Sequence, residues 1–278
     1  MSKIALVTDS TAYLTGEEIA RCGVTVIPLT VNFEEGFIYD EIVDTEEFFA
    51  RVDRAGKLPF TSQPSGGQFT EVYRQLLEQG KEVISIHVSS RLSGTFENSA
   101  AAASGVDSSK ITVIDSLTTS APLAFLVLAA AQWAEEGLNR AGISARLEQA
   151  VGELGSYFIP QTLEYMKKGG RIGGAQALLG SLLQIRPVLH FWKGEVAVLD
   201  KVRTQRKAIQ RMLQELPRES KKLKAAVIHC AAPEDAAAIK ELIIKAAPHA
   251  KVEIREIGPV LIIHGGPGLV GMGYWAHD

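Results

Sequence analysis

Cysteine is scarce in this sequence, with two residues among 278. Cys22 and Cys230 lie far apart and form no C-x-x-C pair. This excludes a disulfide framework and a cysteine zinc site, and it indicates a reducing compartment. The six histidines are scattered singly along the chain, so they show no metal-ligand spacing. The sequence therefore predicts that the protein holds no metal.

Long hydrophobic runs are also missing. The longest apolar stretch, Ala121 to Trp133, is shorter than the roughly 20 residues that a membrane-spanning helix needs. The first ten residues, MSKIALVTDS, lead into a strand-like segment without a signal-peptide pattern. A net charge of −3 argues against nucleic acid as the main partner. We therefore expect a cytoplasmic protein without stable membrane insertion.

Two glycine-rich segments lack the motifs of nucleotide sites. Lys167, Lys168 and Arg171 lie among paired glycines, but no G-K-[ST] follows, which argues against an ATP site. This segment is either a flexible turn before a core helix or a mobile basic loop beside an apolar cavity. Residues 266–271 match G-x-G-x-x-G, yet only seven residues follow, too few for a dinucleotide-binding unit.

Strand-like runs alternate with helical patterns in the first half of the chain. KIALVTDS, GVTVIPLTVNF, EVISIHVS and KITVIDS each end in a hydroxyl-rich or turn-rich loop. This order predicts a Rossmann-like parallel α/β sheet. Because ligands bind beyond the carboxyl ends of such strands, we expect Asp9–Ser10, Ser89–Ser93 and Asp115–Ser116 at one edge of the sheet.

The second half of the sequence is less regular. GEVAVL, KAAVIHC, KVEIREI and GPVLIIHGG are interpreted as strands, with helices near 204–216 and 233–246. The hairpin-like segment FWKGEVAV adds antiparallel pairing and so predicts a mixed sheet. The expected architecture is α/β with two domains, 1–150 and 151–278, and residues 53–80 fit either one.

Charge is distributed unevenly between these halves. The first carries an excess of acidic residues and the second an excess of basic residues. The difference reflects either a simple domain boundary or a basic face that meets an anion or an acidic partner.

Hydroxyl-rich turns supply the candidate binding residues. Ser93, Gly94 and Thr95 stand where a helix is expected to begin, which suits a carboxylate or phosphate. Ser93 could equally be an ordinary helix cap, and the turn lacks the first glycine of a G-x-S-x-G nucleophile elbow. The loop PFTSQPSGGQF, with Thr61, could add a second donor. His264, expected at the end of the last strand, is either a structural residue or another donor.

These motifs occur in an order that resembles the DegV family, whose characterised bacterial members are the fatty-acid-binding FakB subunits of fatty acid kinase. The resemblance covers essentially the whole chain. Its segments are IALVTDSTAYL, TSQPS, SSRLSGTF, VIDSLTTS, KKGGRIGGAQALLGSLLQIRPVL, KVRTQRKAI and HGGPG. The stretch TTSAPLAF departs from the methionine- and glycine-containing segment associated with the family.

The resemblance implies a two-domain DegV fold that holds one fatty acid, with its carboxyl at the domain junction. The implied carboxylate-binding residues are Thr61 and Ser93, with His264 close by, and the turn itself adds Gly94 and Thr95 of the expected helix start to this predicted site. Arg171 and Arg203 match arginines associated with kinase docking and phosphoryl transfer. The partner would be a FakA-like kinase subunit that brings ATP and Mg²⁺, so this chain itself would need no cofactor.

The resulting functional hypothesis is a carrier of a long-chain fatty acid, such as palmitate or oleate, that presents the carboxylate to a kinase. Transient contact with a membrane is compatible with it. The alternatives are an acyl hydrolase or transferase that uses Ser93 with His264, and a lipid sensor without a kinase. A dry tunnel for the tail could be lined by the stretches 98–103, 121–131 and 178–191, although core packing explains these stretches equally well.

Overall fold

The computed structural model describes residues 3–41, 44–179 and 185–277, in which helices and strands alternate. The strands of the first half are β1 (Ile4–Asp9), β2 (Thr25–Ile27), β3 (Thr30–Phe33), β4 (Gly36–Tyr39), β5 (Phe60–Ser62), β6 (Glu82–His87) and β7 (Ile111–Asp115). Its helices are α1 (Gly16–Cys22), α2 (Thr45–Ala55), α3 (Gly66–Glu78), α4 (Thr95–Val106), α5 (Ser120–Glu135) and α6 (Arg140–Val151).

The second half continues with a different arrangement of strands. They are β8 (Leu154–Ile159), β9 (Arg186–Trp192), β10 (Glu195–Val202), β11 (Lys222–His229), β12 (Lys251–Glu256) and β13 (Val270–His277). The helices are α7 (Glu164–Lys168), α8 (Gln205–Leu213), α9 (Pro233–Ala246) and α10 (Pro259–Gly265). Short 3-10 turns occupy Ser10–Ala12 and Gly173–Leu178.

A four-stranded parallel sheet in the order β2-β1-β6-β7 forms the first layer. Alternate residues face opposite sides, so that Leu6 packs towards α5 while Val7 packs with α3 and α4. Strands β1, β6 and β7 end side by side, as predicted, because all three run in the same direction. Asp9, His87 and Asp115 therefore lie at one edge of the sheet.

A small antiparallel sheet, β4-β3-β5, was not expected. The run GVTVIPLTVNF, predicted as one strand, is divided between β2 and β3. Pro28 lies at the break, where it has no N–H to donate to a sheet ladder. In the small sheet Val31 pairs with Thr61. The small sheet is thus the element that positions the Thr61 loop.

The second half forms a six-stranded mixed sheet in the order β10-β9-β8-β13-β11-β12. The predicted strands GEVAVL, KAAVIHC and KVEIREI, both helices and the β9–β10 hairpin are confirmed. The interpretation of GPVLIIHGG as a strand is wrong, because this segment is helix α10. Pro259 at its first turn suits a helix start, and a short apolar run has no period that separates a buried helix from a strand.

Helix α5 lies between the parallel and mixed sheets. It packs on β1 and β6 from one side and on β8, β11 and β13 from the other. Of its 16 residues 12 are buried, which explains an apolar sequence on all faces rather than on one stripe. Among the residues that the structure describes, no helix is both long and apolar enough to cross a membrane.

The change of sheet falls between Asp115, where β7 ends, and Leu154, where β8 begins. The domain boundary at residue 150 stays a prediction, as does the assignment of residues 53–80 to either domain.

A buried carboxyl ties the small sheet to helix α10. Asp40 accepts hydrogen bonds from the Val260 N–H (2.9 Å), the Ser10 hydroxyl (2.8 Å) and the Tyr13 hydroxyl (3.2 Å). Burial raises the pKa of Asp40 from 3.8 to about 7, and the charge of nearby Asp9 adds to the rise, while the three donors oppose it. The position of α10 thus depends on a carboxyl that titrates near neutral pH.

We expect Asp40 to make the protein less stable as the pH rises from about 4 to about 7. In this range the folded state keeps a proton that the unfolded state has released, so the free energy of unfolding falls by up to roughly 1.4 kcal/mol per pH unit. Urea denaturation at several pH values measures this slope. Asp40→Asn should flatten it, and an unchanged slope in that variant would show that other groups cause it.

Candidate functional site

A cavity of about 340 Å³ lies where the three sheets meet helix α10. Its lining is mostly apolar: Leu29, Val88, Leu92, Phe158, Met166, Phe191, Val196, Ile228, Ile257, Val260, Leu261 and Leu269, with Gly265. The polar side chains in the lining are Thr11, Thr61, Ser62, Gln63, Ser93, Thr119, Ser120, Ser156, Tyr157, Arg171 and His264. An apolar cavity with a few polar groups is the usual form of a small-molecule site.

Four of the sequence-predicted residues line this one cavity, namely Thr61, Ser93, Arg171 and His264. They come from β5, the turn before α4, the loop after α7, and α10. No two of these elements are adjacent in the chain, so the fold itself creates the cluster.

Thr61 and His264 are in direct contact. The Thr61 Oγ1 lies 2.9 Å from the His264 Nε2. When Nε2 carries the ring proton it donates to the threonine oxygen, and the threonine O–H is then left for a ligand oxygen. The His264 Nδ1 is buried and has no hydrogen-bond partner within the described part of the chain. The pair thus has donor capacity that the protein does not consume.

His264 is held neutral at physiological pH. Burial lowers the pKa of His264 to about 4, and the positive charge of Arg171 lowers it further. A neutral imidazole donates or accepts hydrogen bonds without adding charge, so Arg171 is the cationic side chain of the cavity lining. This arrangement favours a single negative charge on a ligand beside Arg171.

Arg171 joins two loops at the cavity wall. Its Nε donates to the Leu92 carbonyl (2.9 Å) and its Nη1 to the Gly169 carbonyl (2.7 Å). Leu92 precedes Ser93, so the arginine fixes the loop that carries the serine. Gly169 has no room for a side chain, since a Cβ there would lie 2.2 Å from the His264 Nδ1.

The turn before α4 differs in detail from the expectation. The helix begins at Thr95 and its N-cap is Gly94, without a side-chain cap bond. The interpretation of Ser93 as the helix cap is therefore wrong, since its hydroxyl lies 2.8 Å from the Thr95 Oγ1. Thr95 is fully buried, and neither it nor Gly94 is part of the cavity lining. Ser93 sits one residue too early to cap.

Gln63 is a cavity residue that the sequence analysis missed. Its side-chain oxygen accepts the Gly94 N–H at 3.0 Å, so this backbone donor is already used. A Cβ on Gly94 would lie 2.5 Å from the Gln63 Nε2, so glycine is required for this close approach. The glycine within SSRLSGTF was the available signal that another group packs against the turn.

The remaining candidates lie elsewhere. Arg203 is exposed between β10 and α8 and is not part of the cavity lining. Lys167 and Lys168 are exposed at the end of α7. The stretches 98–103 and 121–131 are helical and do not line the cavity; the second is core, while the first is buried only at Ser99, Ala102 and Ala103. From 178–191 the lining contains Phe191, while residues 180–184 lie outside the described residues. In the described ranges, no cluster of His, Cys, Asp or Glu is placed to hold a metal ion.

Comparison with known proteins finds similarity over the whole chain. A family model described as uncharacterised protein, DegV family, matches residues 3–277. A DegV domain-containing protein of Halalkalibacterium halodurans is 36% identical over 280 residues, covering 99% of both chains.

Two solved structures share the fold. A fatty-acid-binding DegV family protein from Thermus thermophilus is 35% identical, with a TM-score of 0.93 and full coverage of both chains. DegV of Bacillus subtilis, described as a fatty acid binding protein, is 36% identical, with a TM-score of 0.90 and full coverage of both chains. The predicted fold class is thereby confirmed, with its parallel four-stranded and mixed six-stranded sheets.

Proposed function

We propose that this chain, which belongs to the DegV family, binds one long-chain fatty acid in its cavity, with the carboxylate at Thr61, Ser93 and His264. The observation that carries the proposal is that these three polar side chains and Arg171 line one cavity whose surface is mostly apolar. Binding of fatty acids by the related DegV proteins supports it.

The chemistry of the cavity matches both ends of such a ligand. Hydroxyl donors suit a carboxylate because charge-assisted hydrogen bonds are stronger than neutral ones. The hydrocarbon tail gains roughly 0.8 kcal/mol for each methylene group removed from water. A long tail in this lining therefore outweighs the cost of association, and the polar cluster determines which end of the acid binds where.

We further propose that the bound carboxylate is presented to an ATP-dependent, FakA-like kinase subunit in the cytoplasm. That partner would supply ATP and Mg²⁺. Arg171 lies beside the proposed carboxylate position, where it would offset negative charge during phosphoryl transfer. Arg203 is exposed and thus available for docking. In this role the chain is a carrier rather than an enzyme.

The geometry gives no support to the alternative of a serine hydrolase. A nucleophilic serine needs a base within hydrogen-bonding reach. The recorded contacts join Ser93 to Thr95 and His264 to Thr61 instead. An isolated chain is therefore expected not to turn over an activated ester such as p-nitrophenyl palmitate.

Mass spectrometry of the purified protein tests the binding proposal. An organic extract should contain one fatty acid per chain, and native mass on the same sample should show the matching mass excess. Absence of lipid, together with no uptake of added palmitate or oleate, would overturn it. For the kinase role, loaded chain plus a FakA-like subunit should consume ATP, and Arg203→Ala should lower that rate without changing palmitate affinity.

A further inference from the structure

A second set of polar groups lines the cavity at the beginning of α5. Thr119 and Ser120 are 4% and 3% exposed, and both contribute to the lining. Among the described residues, neither the Thr119 Oγ1 nor the Ser120 Oγ has a hydrogen-bond partner. Buried hydroxyl groups in proteins are normally hydrogen-bonded, so two adjacent exceptions facing a cavity call for an explanation.

Other hydroxyls of the same cavity behave differently. Thr11 donates to the Asp9 carboxylate at 2.6 Å, and Ser93 and Thr61 have the partners described above. Among the described residues, the buried hydroxyls that line the cavity and lack a hydrogen-bond partner are those of Thr119 and Ser120. A ligand atom that formed hydrogen bonds with these two hydroxyls would remove the free-energy cost of burying them without partners.

The helix adds donors at the same position. Thr119 is the N-cap of α5, yet its side chain makes no cap hydrogen bond. In the first turn of this 16-residue helix the Ser120 and Ala121 N–H groups have no partners within the helix, Pro122 has no N–H, and this end carries the positive end of the helix dipole. An oxygen atom placed here would therefore meet two hydroxyls at the positive end of a helix.

Buried carboxyls near the start of α5 determine whether a ligand carboxylate or a ligand hydroxyl can bind there. The turn Ser10–Ala12 packs against α5, and its residues bond two buried carboxyls, Asp9 and Asp40. The charge of Asp9, which also contributes to the raised pKa of Asp40, disfavours a second carboxylate on the ligand close to this turn. A neutral hydroxyl is not repelled, and it can both donate and accept.

Building on the proposed function, we propose that Thr119 and Ser120 form a second polar subsite that selects fatty acids bearing a hydroxyl group along the chain. The carboxylate would stay at Thr61, Ser93 and His264, and the chain hydroxyl would bond at the start of α5. The ligand class is then a monohydroxy long-chain fatty acid.

The test compares palmitate with a series of monohydroxypalmitates that differ in hydroxyl position. Wild-type protein should bind one positional isomer roughly 3- to 10-fold more tightly than palmitate, the gain of about one net hydrogen bond. Thr119→Val keeps the shape but removes the hydroxyl. It should weaken binding of that isomer and tighten binding of palmitate, so that the preference reverses. Ser120→Ala should weaken the same isomer, which keeps the test valid if one variant fails to fold.

Thr118→Val is the matched control. Thr118 is equally buried and its hydroxyl also has no partner within the described residues, but it does not line the cavity. Its substitution should leave the preference unchanged. The proposal is overturned if palmitate binds and no isomer is preferred, or if Thr119→Val weakens all ligands alike. Failure to bind any of these acids would instead remove the proposed function as well.

Discussion

Replacing Thr61 with valine and Ser93 with alanine in one chain is expected to lower palmitate affinity at least about 100-fold. Each substitution removes a hydroxyl that we assign to the ligand carboxylate, and a hydrogen bond to a charged group contributes roughly 1.5–3 kcal/mol. The lining of the tail is untouched, so residual binding should survive. Isothermal titration calorimetry with palmitate gives the affinities of the wild-type protein and the double variant. The affinity for hexadecanol, which lacks the carboxylate, should fall much less.

Ser90→Ala is the control for this experiment. Ser90 lies in the same turn as Ser93 but does not line the cavity, so its loss should leave affinity within about threefold. If the double variant keeps wild-type affinity, the carboxylate binds elsewhere.

The edge of the parallel sheet could be predicted because it follows from strand direction alone. Apolar runs that end in Asp9, in the Ser89–Ser93 turn and in Asp115 must place those residues together once the strands are parallel. The residues alone gave a hydroxyl-rich turn with three possible roles for Ser93. It was the resemblance to the DegV family that joined Ser93 to Thr61 and His264.

Short segments that are packed on all faces could not be assigned as helix, strand or cavity wall from the sequence. Helix α10 was predicted as a strand because the four hydrophobic residues Val260–Ile263 are too short a run to show either a helical or a strand period. The cavity wall posed the same problem. Ala121–Ala131 and Phe158 are equally apolar, yet the first packs in the core and the second lines the cavity, a difference decided by tertiary packing.

Arg203 and Gln63 show two further limits of the sequence. Arg203 is matched by motif to a kinase-related role, but exposure alone does not reveal what it touches. Gln63 belongs to a recognised motif, TSQPS, and still gave no sign of its contact with Gly94, 31 residues later. A contact between distant loops depends on their relative placement, which local patterns do not encode.

Asp9→Ala is expected to lower the free energy of unfolding by about 3–5 kcal/mol, because several buried donors lose their acceptor and each unsatisfied buried group costs roughly 1–3 kcal/mol. The fully buried Asp9 carboxylate accepts hydrogen bonds from the Thr11 N–H and hydroxyl and from the Val88 N–H, and it lies 3.0 Å from the His87 Nδ1. Removing it leaves these groups buried without their partner. Urea denaturation measures the loss as a lower midpoint at unchanged slope.

The loss of the Asp9 carboxylate affects residues of the cavity wall as well as of the core. Thr11 and Val88 are both in the cavity lining, so the substitution should also weaken palmitate binding. From His87 the chain of contacts continues through Ser85 to Tyr73, which spans the parallel sheet to α3. Since typical domains are stable by only about 5–15 kcal/mol, this one carboxylate decides a large share of the stability.

A partly exposed aspartate with similar local bonds provides the comparison. Asp107 accepts hydrogen bonds from the Ser109 N–H and hydroxyl, but it lies at the surface. Water replaces those bonds when the side chain is removed, so Asp107→Ala should lower the free energy of unfolding much less than Asp9→Ala does. If Asp9→Ala costs no more than Asp107→Ala, the desolvation of the Asp9 charge must already offset its hydrogen bonds. The buried carboxylate would then serve to orient Thr11 and His87 rather than to stabilise the fold.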